Sequence, residues 1–153
     1  MIEPTDDDER TNSLGLFNTA EAYRLSARAL QAAKVRHGNA DKPLRFLYYH
    51  ALELYLKALL REKHSMATVR NKFGHQIKLL VREAETLGLV VGENDRTVLM
   101  LIDNTDAMID SRYIRTGTRL LVTLESLRRT CKSIRDGVGT ILRNNDVPVR
   151  LQD

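Results

Sequence analysis

Apolar residues recur at Leu120, Leu124, Leu127, Cys131, Ile134, Val138 and Ile141, in unbroken alternating steps of four and three. Such steps keep side chains on one side of an α-helix and scatter them over both faces of a strand. The seam spans about 22 residues, roughly 33 Å of helix, and needs a partner surface of similar length. Gly137 and Gly139 weaken its far end by about 1 kcal/mol each relative to alanine. No segment alternates with a strand's period of two over a useful length. The expected fold is therefore all-α, an up-and-down bundle of four or five helices with short connections.

The other helices follow from periodicity and punctuation. Asn18 with Glu21 three positions later reads as a capping box opening the first helix. That helix places Ala22, Leu25, Ala29 and Ala32–Ala33 on one face and stops at Gly38-Asn39. A second helix starts near Asp41 with Pro43 in its first turn. Its apolar positions Leu44, Leu47, Tyr48, Ala51, Tyr55, Ala58 and Leu59 are joined by Leu52, Leu56 and Leu60. A helix so widely apolar is central or lies in a subunit interface. Residues 64–75 read as an irregular connection or a short helical turn. The third helix opens at Gly74-His75 and stops at Gly88, with Ile77, Leu80, Val81, Ala84 and Leu87 facing inward. The fourth starts near Asn94 or Asp95 and reaches Ser111-Arg112-Tyr113. In outline, residues 1–14 form an acidic leader, 15–145 the bundle and 146–153 a C-terminal tail.

At 153 residues the chain is the size of one domain and needs no disulfide or metal to hold a core. Cys131 is the sole cysteine, which fits a reducing compartment. His37, His50, His64 and His75 show no zinc spacing, and neither a metal nor a cofactor is expected. With no apolar run near the roughly 20 residues a membrane span needs, the expected location is the cytoplasm. The net charge of +4 is uneven, because residues 1–10 hold five acids and one base. From Ser111 onward nine bases face four acids, a balance suited to polyanions such as RNA or nucleotides, or to a solvated helix face.

Polar residues among the leucines carry the functional argument. Glu53 and Lys57 lie four apart on the most apolar helix, either as a surface pair or as a partly buried polar patch. His50 lies on the same edge, three residues before Glu53. Gly74 permits a sharp turn, and His75 at a helix N-terminus is suited to capping. Arg112, followed by Tyr113 near a helix C-terminus, complements the dipole or meets phosphate bidentately.

The ordered set HALELYLKALL, FGHQIKLLVREAETLGL and DSRY, followed by a long helix, resembles the HEPN domain (the higher-eukaryote and prokaryote nucleotide-binding domain). The resemblance covers roughly residues 18–143. It implies a helical bundle that usually dimerises. It also implies a non-catalytic module in which Glu53, Lys57, His75, Arg112 and Tyr113 bind a nucleotide, or a protein partner of nucleotidyltransferase or toxin–antitoxin type. The chain departs from the family pattern where Ile114 follows Arg112-Tyr113 in place of proline.

Some members of that family are ribonucleases that use an arginine followed, after four to six residues, by a histidine. No histidine follows His75, so the downstream arginines do not supply that motif. Arg70 and His75 match the spacing, and a histidine base with a charge-stabilising arginine is what metal-free RNA cleavage needs. A metal-independent endoribonuclease using Arg70 and His75 is thus the alternative. The chain has no Gly-rich phosphate loop, nucleophile elbow or His-Glu-x-x-His.

Overall fold

The computed structural model describes residues 10–104 and 122–151. The described residues are helical, without a strand, as the periodicity predicts. The main helices are α1 (Ser13–Ala33), α2 (Asp41–Leu60), α3 (Ile77–Thr86), α4 (Glu93–Asn104) and α5 (Leu124–Asn144). A helical turn at Met66–Thr68 runs directly into a π-helical turn at Val69–Phe73, the helical form of the two that the sequence leaves open for this connection.

α2 is the central helix. It packs along α1 and also against α5 and α3, while α4 bridges α3 and α5. Leu52, Leu56 and Leu60 are buried within this single chain. The breadth of the apolar surface of α2 is thus explained by three neighbouring helices, and these leucines are not available to a second copy. The middle of the α5 seam is also core: Leu127, Cys131, Ile134 and Val138 are buried, whereas Leu124 and Ile141 are half-buried and Leu142, off the seam, is buried at the far end. Thr123 caps α5, its hydroxyl accepting from the Ser126 N–H. Leu120, assigned to this seam by its spacing, lies outside the described residues.

α1 departs from expectation at its start and in its orientation. It begins at Ser13, because Asn12 rather than Asn18 supplies the cap and accepts from the Gly15 N–H at 2.8 Å. Leu16 and Phe17, immediately before the expected start at Asn18, are buried, so the helix extends back to cover them. The Ser13 hydroxyl donates to Glu62 at 2.7 Å, fixing this end to the end of α2. The boundary expected at residue 15 therefore falls inside the first turn of α1. The buried face is Leu16, Phe17, Ala20, Arg24 and Ala27. Ala22, Leu25, Ala29, Ala32 and Ala33 are exposed instead, Leu25 at 47%. Alanine is at home on either side of a helix, and burying Arg24 turned the helix away from the alanine face.

Gly139 is needed for packing. A Cβ there would stand 2.3 Å from Leu151 Cδ2 and 3.2 Å from Phe17 Cζ. The C-terminal segment thus folds back over α5, with Val149 buried. None of the described helices is long and apolar enough to cross a membrane.

Candidate functional site

The polar residues gather at two places on opposite sides of α2. Five residues on from Tyr48, Glu53 lies roughly 140° round the helix at 100° per residue. Tyr55, seven residues from Tyr48, shares its side.

On the first side stands Glu53, with 1% exposure. A carboxylate this deep must be compensated, since burying an unpaired charge costs several kcal/mol. Three side chains do so. Lys57 Nζ lies 3.6 Å from Oε1, His50 Nδ1 lies 3.4 Å from Oε2, and His75 Nδ1 bonds to Oε1. Burial pushes the Glu53 carboxyl up, but His50, the charge of Lys57 and His75 outweigh it and hold the group below the ordinary carboxylate range. Glu53–Lys57 is thus the buried form of the expected pair.

The compensating groups differ in what they can offer a ligand. Lys57 is 12% exposed, so its charge is largely committed to Glu53. His50 sits between Tyr23, edge-on at 4.4 Å, and Phe46, stacked at 5.9 Å. Its Nδ1 is buried and faces Glu53 Oε2 at 3.4 Å, outside hydrogen-bond geometry, so its contribution to Glu53 is electrostatic. His75 is different, with 75% of its side chain exposed. Its bond to Glu53 uses Nδ1 and leaves Nε2 for a ligand.

His75 does not cap α3. The N-cap is Gln76, which makes no side-chain cap, and α3 starts at Ile77. Placing His75 beside Glu53 requires the turn at Gly74, whose φ of 56° is in the left-handed region. The Gly74 N–H closes the π-helical turn on the Val69 carbonyl at 3.2 Å. That turn is anchored by buried Val69 and Phe73 and by His64, which pairs with Glu83 at 2.8 Å and packs on the Phe73 ring at 5.4 Å. Arg70, half-buried, belongs to the same turn. Arg112 and Tyr113, expected to complete this site, lie outside the described residues.

On the other side of α2 is a polar cluster the spacing did not reveal. Arg135 Nε and Nη2 grip the Glu21 carboxylate at 2.9 and 3.2 Å. Arg24 Nε reaches Glu21 Oε1 and Tyr55 Oη, each at 3.2 Å, and Tyr55 donates to Glu21 Oε1. Arg24 and Arg135 are 2% and 1% exposed. Burial would raise the Glu21 carboxyl, yet hydrogen bonds from Arg135, Tyr55 and Arg24 keep it below its usual value. The neighbouring Cys131 thiol is pushed up to about 12 by its burial, so it remains a neutral core group. Glu21 thus ties α1, α2 and α5 together and plays no part in a capping box.

Among the described residues no group of three His, Cys, Asp or Glu side chains could hold a metal ion. No family model, curated protein or solved structure matches the chain.

Proposed function

We propose that this chain is a non-catalytic, HEPN-like helical module that acts as a homodimer and binds a nucleotide through the edge where His75 stands. A protein partner of the nucleotidyltransferase or toxin–antitoxin kind is the other ligand that this reading admits. One observation carries it: an exposed imidazole is tethered by a carboxylate that is itself almost fully buried. A buried charge is costly, and a leucine at position 53 would fill the core without that cost. What the carboxylate provides is a histidine fixed in tautomer and direction. Lys57 balances the charge, and His75 is free to donate to or accept from a nucleotide. Arg112 and Tyr113 are part of this reading by resemblance alone.

Calorimetric titration of AMP and ATP into wild type and His75→Ala, with EDTA present, tests it. Wild type is expected to bind, and His75→Ala to bind about tenfold more weakly, the loss of one good hydrogen bond to a charged group. Equal affinities, or no binding by wild type, would overturn the nucleotide reading.

The endoribonuclease alternative is favoured by one feature of the same geometry. A carboxylate on Nδ1 orients a histidine as a general base, and Arg70 lies on the π-helical turn that precedes it. RNA incubated with EDTA and wild type, His75→Ala or Arg70→Ala separates the readings. Cleavage that both substitutions abolish, with folding intact, would establish the enzyme.

A further inference from the structure

We infer that the ring of Phe46 is the platform on which the base of the nucleotide stacks, with the sugar and phosphate running toward His75. This placement rests on the nucleotide reading of the His75 edge and assigns the two ends of the ligand. Phe46, His50, Glu53 and Lys57 follow one another on α2 in steps of four, three and four, so they form one stripe along a single edge. Glu53 bonds His75 on this stripe, and Phe46 stands two turns before it.

The aromatic rings are divided between core and edge. Among the described residues Phe17, Tyr48, Tyr49, Tyr55 and Phe73 are buried. The remaining two, Tyr23 and Phe46, are half-buried, and both lie against His50. Tyr23 also packs on the core, whereas Phe46 is not among the half-buried hydrophobic residues that do. His50 is held by Tyr23, edge-on at 4.4 Å, and by Glu53 Oε2, 3.4 Å from its Nδ1. The Phe46 ring lies nearly parallel to that fixed imidazole, at 10° and 5.9 Å. Phe46 is thus oriented before a ligand arrives, and little side-chain freedom is lost when a base lands on it.

A flat ring at a part-exposed edge offers a π face, and every nucleobase carries the complementary one. The seven residues from Phe46 to Glu53 span about 10 Å along the axis of α2 at 1.5 Å per residue. One nucleoside 5′-phosphate covers that span, with its base on Phe46 and its phosphate at the Nε2 of His75. A sugar phosphate without a base engages His75 alone. The ligand class is therefore a nucleoside 5′-phosphate held at both ends.

The chain contains no tryptophan, so the variant Phe46→Trp carries a single indole, placed at the platform. AMP is expected to quench its fluorescence along a saturating curve, and ribose 5-phosphate to leave it unchanged. In calorimetry with EDTA, Phe46→Leu, which keeps an apolar side chain, should bind AMP about tenfold more weakly than wild type and ribose 5-phosphate as wild type does. Circular dichroism checks that each variant keeps its helices. Steady fluorescence of Phe46→Trp while AMP saturates it, or equal AMP affinity in Phe46→Leu, would overturn the base platform and leave the nucleotide reading at His75 standing. An equal loss of ribose 5-phosphate affinity in Phe46→Leu would mark the ring as structural support and overturn the platform too. No binding of AMP by wild type would overturn both.

Discussion

Neutralising Glu21 should be among the most damaging single changes available to this fold. Glu21→Gln keeps the shape of the side chain and removes the charge that holds Arg24 and Arg135. Those guanidiniums are 2% and 1% exposed, so neither can turn to water without opening the junction of α1, α2 and α5. Breaking a buried ion pair by removing one partner costs about 3–5 kcal/mol. The Glu21 side chain retains 16% exposure, and Arg135 keeps Asp136 at 2.9 Å, so the lower end applies. A loss of about 3 kcal/mol lowers the Tm by roughly 6–12 °C in a chain of this size. Urea unfolding followed by circular dichroism would measure it. Adding Arg135→Met removes one of the two buried cations and should restore part of the loss, a coupling of about 1 kcal/mol or more. A cost below about 1 kcal/mol for Glu21→Gln alone would refute the claim that this carboxylate compensates two buried cations.

Three further outcomes follow from the same structure. Glu53 is held below its ordinary range, so its contribution to stability is present above the unfolded value of about 4.5 and is lost as pH falls through the lower folded value. An acid titration should show wild type losing stability below about pH 4.5 and Glu53→Gln, weaker at pH 7, losing less over that window. Gly74→Ala forces a side chain into a left-handed conformation and should cost about 1–2 kcal/mol in thermal unfolding, while displacing His75 and weakening nucleotide binding. Light scattering coupled to size exclusion should give a mass of twice the 17.5 kDa of one chain; a monomer at that mass would remove dimerisation from the account.

Where apolar periodicity was strong, the sequence was a reliable guide. The steps of four and three in α5 mark a buried side, and of the two places that the all-round leucines of α2 allow, the core or a subunit interface, the structure shows the core. α1 was misread because alanine marks no face: its periodicity pointed to Ala22–Ala33, whereas the core took Leu16, Phe17 and Ala27 and with them a charge, Arg24. The Asn18–Glu21 spacing is a genuine local cap signal, but Glu21 is claimed by Arg135, 114 residues away. Glu53 and Lys57 were legible as a pair, and His50 as their neighbour on one edge. The bond from Glu53 to His75 was not, because it depends on a π-helical turn and one positive φ angle that no periodicity encodes.

The account rests most heavily on His75 as the point of contact, and the carbon–proton resonances of its imidazole report on that directly. AMP titrated in EDTA should move those resonances along a saturating curve in wild type, and the curve should vanish in Glu53→Gln if the carboxylate is what holds the ring in place. Imidazole resonances that stay still while AMP saturates the protein would contradict the claim and place nucleotide binding elsewhere on the bundle.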